Sequence, residues 1–256
     1  MAYFEQLSDS TFRATEHVGG AWNVDEQHIA PALGLLTHCV ERDHARRRDD
    51  GLVIGRLSFD ILGTVPIGVV ETTVEVVRAG RTIELVQATL SHGGRAIVLL
   101  RAWLMQTGDT ETVSATSLPG IGAATSFVPW DPTTVWPGGY IASAEVRRDQ
   151  VEPGRAAYWV RTAVPLISGE RSSVLANAAV LFDIANGMTV RADPRTLAFP
   201  NLDLTVHLFA HPRTEWLGFD TAVSFGANGI GLTHSVIHDE IGPIGASSQI
   251  LTLRST

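Results

Sequence analysis

FPNLDLTVHLFAHPRTEWLGFDTAVSFGANGIGLTHSVIHDEIGPIGASSQILTL, Phe199 to Leu253, reads as strand, turn, strand, turn, strand. Leu202, Leu204, Val206 and Leu208 alternate with Asn201, Asp203, Thr205 and His207, the period of a pleated strand with one dry face and one wet face. Asn228-Gly229 tolerates positive φ at both residues and marks a hairpin. Asp239-Glu240 with Gly242-Pro243 marks a second turn, after which Ile244 to Leu253 is a last strand. Such a meander must lay one face on something apolar. The segment just upstream, Ser172 to Asn186, supplies it.

That segment, SSVLANAAVLFDIAN, reads as one helix, with Ser172 or Ser173 as N-cap and Gly187 as the glycine beyond its C-terminus. Nearly every residue between is small or apolar, so the helix is buried all round. Asn177 and Asp183 interrupt it, and Asp183 is the harder to explain. A carboxylate among apolar neighbours costs several kcal/mol unless it is hydrogen-bonded or protonated. In the last turn of a helix the dipole opposes its charge as well. Local propensity gives no reason for Asp183, which makes it a candidate for tertiary chemistry.

The chain of 256 residues is long enough for a large core, at 45% hydrophobic content. A net charge of −8 argues against nucleic acid or an anionic membrane as the main partner. No apolar run approaches the roughly 20 residues of a membrane span, and no secretory signal pattern opens the chain. The single cysteine, Cys39, excludes an internal disulfide and fits a cytoplasmic location. It falls in the helical pattern Leu33, Leu36, Val40, which gives it a packing role.

Upstream, a short strand is expected over Phe12 to Val18. A helix capped by Asp25 follows, with Pro31 in its first turn, ending at Glu41-Arg42-Asp43-His44. The mixed-sign run Arg46 to Gly51 is a solvated turn. Strands are expected over Val53 to Leu62, Gly68 to Arg78, Thr82 to His92 and Ala96 to Gln106, separated by Gly- and Pro-bearing turns. The stretch 107–137, rich in Gly, Pro, Ser and Thr, reads as a linker between a unit at 1–106 and one at 138–256. Tyr140 to Arg148 and Ala156 to Val164 then open the second unit as strands.

Both units run helix, then antiparallel meander. An offset of 145 sets His38 against Asp183 and RLSFDIL (Arg56 to Leu62) against NLDLTVH (Asn201 to His207), and at 148 Arg101 meets Gln249. Two such units sharing a sheet, with helices on one face, make an α+β chain. His234 and His238 lie about 13 Å apart by strand rise, too far to share a metal. No G-x-S-x-G elbow, P-loop or H-E-x-x-H occurs. Trp22, Trp130, Trp136 and Trp216 read as core aromatics.

The blocks PLISGERSS (Pro165 to Ser173), LFDIANGM (Leu181 to Met188), FPNLDLTVHL, TEWLGFDT (Thr214 to Thr221) and GPIGASSQILTL (Gly242 to Leu253) occur together and in order. GGAWN (Gly19 to Asn23) and VVRAGRTIELVQATL (Val76 to Leu90) add the first half. In these the chain resembles the double hot-dog acyl-CoA thioesterases related to acyl-CoA thioesterase II. The resemblance implies tandem helix-plus-sheet units in one continuous curved sheet, an acyl-CoA substrate, no cofactor beyond the CoA of the substrate, and self-association into a homo-oligomer. It also implies a site made of Asp183, Asn201 and Gln249. Relatives often carry Thr or Ser where this chain has Asn201, and His-Gly-Gly where it reads His28-Ile29-Ala30.

Thioester hydrolysis needs a water activated beside an acyl carbonyl and a donor for the oxyanion that forms. Asp183 can accept the water's proton, and the amides of Asn201 and Gln249 can hold that water and donate to negative charge, with no metal or serine nucleophile. The counterparts His38, Arg56 and Arg101 make no such set, so one working site per chain is expected. Three other readings compete. One is a structural network tying helix to sheet. Another is an enoyl-acyl hydratase or dehydratase, which needs a His paired with an acid and has only His38 as its helix-borne candidate. The third is a non-catalytic acyl-CoA-binding protein.

Overall fold

The computed structural model describes residues 1–256. Its helices are α1 (Ile29–Arg47), α2 (Gly139–Ala142), α3 (Val174–Ala179) and α4 (Ala185–Met188). In the first half the strands are β1 (Phe4–Gln6), β2 (Thr11–Ala14), β3 (Val53–Ile61), β4 (Val69–Arg78), β5 (Ile83–His92) and β6 (Arg95–Met105). β7 (Val128–Trp130), β8 (Ala144–Glu152), β9 (Arg155–Thr162) and β10 (Leu197–Ala198) follow. The C-terminal meander is β11 (Asp203–Leu208), β12 (Leu217–Phe225), β13 (Ile230–Asp239) and β14 (Gly242–Thr252), with β15 (Arg254–Ser255) beyond it. No helix is long and apolar enough to cross a membrane.

Thirteen strands form one antiparallel sheet in the order β1-β2-β4-β5-β6-β3-β11-β14-β13-β12-β9-β8-β7. Its seam is the pairing of β3 with β11, where Asp60 faces Asp203 and Arg56 faces His207. Outward from that seam each half repeats the same order, β3-β6-β5-β4 on one side and β11-β14-β13-β12 on the other. The chain is therefore a double hot-dog, α+β as its pattern implies. Leu204 and Val206 bury the dry face of β11, while Leu202, one residue before the strand, is exposed. Helix α1 packs on β4, β5 and β6 and meets α3 closely. A Cβ at Gly34 would stand 2.5 Å from Val180 Cγ2 and 2.9 Å from the Ala176 carbonyl oxygen, so only glycine permits this approach.

Most period-2 stretches fold as expected, with ends within a residue or two; the strand expected over Tyr140 to Arg148 forms four residues later, as β8. The irregular stretches differ. Helix α1 starts later than Asp25, because the Gln27 N–H is held by the Val65 carbonyl (2.9 Å) and the backbone there is bridged to Gly19 and Pro66. The cap is His28, whose Nδ1 accepts from the Ala30 N–H. The strand expected over Phe12 to Val18 ends at Ala14 and gives way to a 3-10 turn over Glu16–Val18, capped by Thr15. Tyr140 is not in a strand but in α2, where its hydroxyl donates to the Val180 carbonyl at 2.8 Å.

The largest difference lies in the segment Ser172 to Asn186. Ser173 caps α3 by accepting from the Ala176 N–H, as expected, but α3 stops at Ala179. A 3-10 turn, Phe182–Ile184, and the short α4 follow, so Gly187 sits inside α4 rather than beyond the end of a helix. Asp183 has φ −90° and ψ 20°, in the bridge region between helix and strand where many active-site residues sit.

Candidate active site

Asp183 enters the core from the break between α3 and α4 and is 3% exposed. Its Oδ1 accepts two hydrogen bonds, from Asn201 Nδ2 at 2.6 Å and from Gln249 Nε2 at 2.7 Å. Asn201 lies two residues before β11, where its backbone bridges Leu251 and its amide also donates to the Asp203 carbonyl at 3.1 Å. Gln249 comes from the inward face of β14, flanked on that face by buried Ser247 and Leu251. Three side chains far apart in sequence thus meet on one carboxylate oxygen. Both bonds are made from the break, where Asp183 leaves helical geometry.

Two acceptors of this cluster take no donor from the protein. One is Asp183 Oδ2; the other is Gln249 Oε1, which is buried. Burial pushes the Asp183 carboxyl up to about 7, against the downward pull of the Asn201 and Gln249 amides and with a small upward push from Asp203. The result is a carboxylate with one oxygen clamped by neutral donors, one oxygen free, and an affinity for protons suited to taking and giving them near neutral pH.

Next to it in the chain, a small pocket of about 20 Å³ is lined by Ala21, Trp22, His28, Trp136, Ile141 and residues 184 and 186–188 of the broken helix; Asp183 itself is not in its wall. Trp22, 44% exposed, packs edge-on against Trp136 and Phe199, with ring centroids 4.8 and 5.3 Å away. Trp136 is buried and gives its indole N–H to the Gly187 carbonyl at 2.8 Å, tying the pocket wall to α4. Two of the four tryptophans expected in the core thus border open space.

The counterparts in the first half do not converge. His38 bonds Glu170 through Nε2 at 2.8 Å, Arg101 is exposed and donates to Gln87, and the Arg56 Nε is buried without a partner. Two residues here escape the sequence pattern. Glu170 sits in an irregular loop that only the tertiary fold brings onto α1. His28 stands in the sequence only as the first residue of a segment whose next two, Ile29 and Ala30, depart from the relatives' Gly-Gly; its place in the pocket depends on stacking against Tyr140, at 4.2 Å between centroids.

A family model described as the acyl-CoA thioesterase C-terminal domain matches residues 118–253, and one described as the N-terminal domain matches residues 18–105. Comparison with curated proteins gives no match. Among solved structures, a candidate thioesterase from Novosphingobium aromaticivorans is 18% identical, with TM-score 0.76 over 99% of each chain. A hot-dog protein of unknown function from Alicyclobacillus acidocaldarius is 13% identical (TM-score 0.77, 99% of this chain and 96% of that one). An acyl-CoA thioesterase II from Mycobacterium marinum is 16% identical (TM-score 0.68, 99% and 95%). At these identities the structures speak for the fold, and the two consecutive family matches speak for descent: the chain belongs to the acyl-CoA thioesterase family.

Proposed function

We propose that the protein hydrolyses acyl-CoA thioesters, with Asp183 as the general base. The observation that carries this reading is the half-occupied carboxylate, Oδ1 held by two amides and Oδ2 left open. A water donating to Oδ2 is deprotonated as its oxygen bonds to the thioester carbon. The tetrahedral oxyanion collapses, the carbon–sulfur bond breaks, and the proton on Asp183 passes to the departing CoA thiolate. Asn201 and Gln249 keep the carboxylate from rotating, and the orphaned Gln249 Oε1 offers the water a second acceptor. The same reading gives one site per chain and a cytoplasmic enzyme, in keeping with the free, buried thiol of Cys39.

Release of free thiol across a panel of acyl-CoA chain lengths tests it. Asp183→Ala should lower kcat by about 10²–10⁴-fold, the usual worth of a general base. Because the base works ionised, kcat/KM of the parent should climb as pH rises through about 7 and then level off. A parent rate that falls over that range, or an Asp183→Ala protein as active as the parent, overturns the assignment. The hydratase reading keeps one observation in its favour, the His38–Glu170 pair at 2.8 Å. Hydration of crotonyl-CoA in the same panel, lost in His38→Gln, would select it.

A further inference from the structure

The pocket next to Asp183 in the chain is apolar but for His28 and Asn186 and the rim indole of Trp22, and each of the two inner polar residues is already half committed. Asn186 gives its amide N–H to the Phe199 carbonyl at 3.4 Å, which leaves an oxygen. His28 does the reverse. Its Nδ1 accepts the Ala30 N–H at 3.2 Å, so that nitrogen carries no proton, and the one proton of a neutral imidazole must sit on Nε2. Nε2 has no protein partner, and the ring lines the pocket. The ring is fixed from below by Tyr140, whose hydroxyl is tied to the Val180 carbonyl three residues before Asp183, and whose own ionisation feels the charge of Asp183. Desolvation holds the imidazole neutral, with its pKa lowered to about 3.

We propose that His28 is a catalytic hydrogen-bond donor: its Nε2–H binds the carbonyl oxygen of a thioester that reaches into this pocket and stays bound as that oxygen becomes an oxyanion. This rests on the hydrolytic reading of Asp183 and adds the electrophilic partner that the carboxylate lacks. No proton is transferred by His28. The water's proton still goes to Asp183, and the imidazole supplies a fixed dipole where negative charge grows. A neutral imidazole suits this task at every pH at which Asp183 is ionised.

Two measurements test it. In the first, His28→Phe keeps a ring on Tyr140 but removes the donor, and His28→Asn can still cap α1 and presents an amide N–H. The Phe variant should lose about 10²–10³-fold in kcat, the usual cost of one oxyanion donor, with KM within about threefold and the pH limb unmoved, and the Asn variant should recover at least about tenfold of that loss. In the second, long-range ¹H–¹⁵N spectra of the parent should show the Nε2–H tautomer from pH 5 to 9. That proton should shift when a ketone analogue of acyl-CoA, with a methylene in place of sulfur, is added. Full activity in His28→Phe, an Nδ1–H tautomer, or an Nε2–H signal indifferent to the analogue overturns the proposal. A parent that releases no thiol from any acyl-CoA, while the Nε2–H signal answers the analogue, overturns hydrolysis and leaves the carbonyl donor standing.

Discussion

The two halves of the chain share one architecture, and Glu84 in the first and Asp183 in the second are buried acids treated in opposite ways. In the first half Glu84, with a side chain 1% exposed on β5, is met by Arg47 at 2.7 Å and Arg48 at 3.0 Å from the end of α1. Burial works to raise its pKa, but the two guanidiniums prevail and hold the carboxyl at about 2. In the second half Asp183 is just as buried and receives only neutral amides, and its carboxyl is pushed up to about 7. The first acid is permanently ionised, with Arg47, Arg48 and His44 about its two oxygens, and serves to pin the helix to the sheet. The second is balanced between its two protonation states and keeps an oxygen free. Partners of full charge make a buried carboxylate a fastener; partners of partial charge leave it able to react.

That contrast is open to measurement as stability against pH. The Asp183 carboxyl is raised in the folded chain, so its contribution is fully present below about 4 and is lost as pH rises through about 7. Ionising it in the folded chain, against an ordinary value of 3.8, costs at most about 4 kcal/mol at pH 8. Asp183→Asn removes that cost and should stabilise the protein at pH 8 by up to that amount, with little change at pH 4, read from denaturant midpoints. Glu84→Gln should do the reverse. Its carboxyl is depressed, so the stability it gives is present above about 4.5, is lost as pH falls through about 2, and should be missing from the variant at pH 8. If both variants destabilise alike, the two acids are the same kind of fastener.

A smaller effect separates holding the carboxylate from holding the water. Gln249→Leu removes one of two donors that lower the Asp183 pKa, so its kcat/KM at pH 7 should fall by about 10–100-fold, the worth of a hydrogen bond to a charged group. Most of that loss should return by pH 9, because the rising limb has moved to higher pH. A loss of the same size at every pH would mean that Gln249 acts only on the water or the substrate and leaves the proton affinity of Asp183 untouched.

The sequence reveals the strands and the acid for related reasons. Period-2 alternation and turn pairs such as Asn228-Gly229 are local signals, and β3 to β6 begin and end within a residue or two of where those signals put them. Asp183 stands out because no local preference accounts for a carboxylate in so oily a run. The break in its helix is not legible, and the amides that hold Asp183 there come from 18 and 66 residues further along the chain. The same holds for His28. Its sequence position announces at most a cap, while its tautomer follows from the Ala30 N–H and its placement from Tyr140, which only the folded chain brings under the ring.

The smallest expected effect bears on whether the first half has a site of its own. His38 occupies the place in α1 that matches Asp183, and its side chain is 8% exposed and bonded to Glu170. Burial lowers its pKa, outweighing the Glu170 charge that acts to raise it, so near neutral pH the pair is an imidazole held by a carboxylate. Such a pair could serve as an acid–base dyad, but it sits between α1 and the loop that carries Gly169 and Glu170, and neither residue bonds Asp183, Asn201 or Gln249. His38→Gln preserves a donor toward Glu170 and should change kcat/KM for thioester release by less than about twofold, under about 0.5 kcal/mol of barrier. A drop a hundred times larger would mean that the repeated architecture carries repeated chemistry, with Glu170 rather than two amides beside the reacting group.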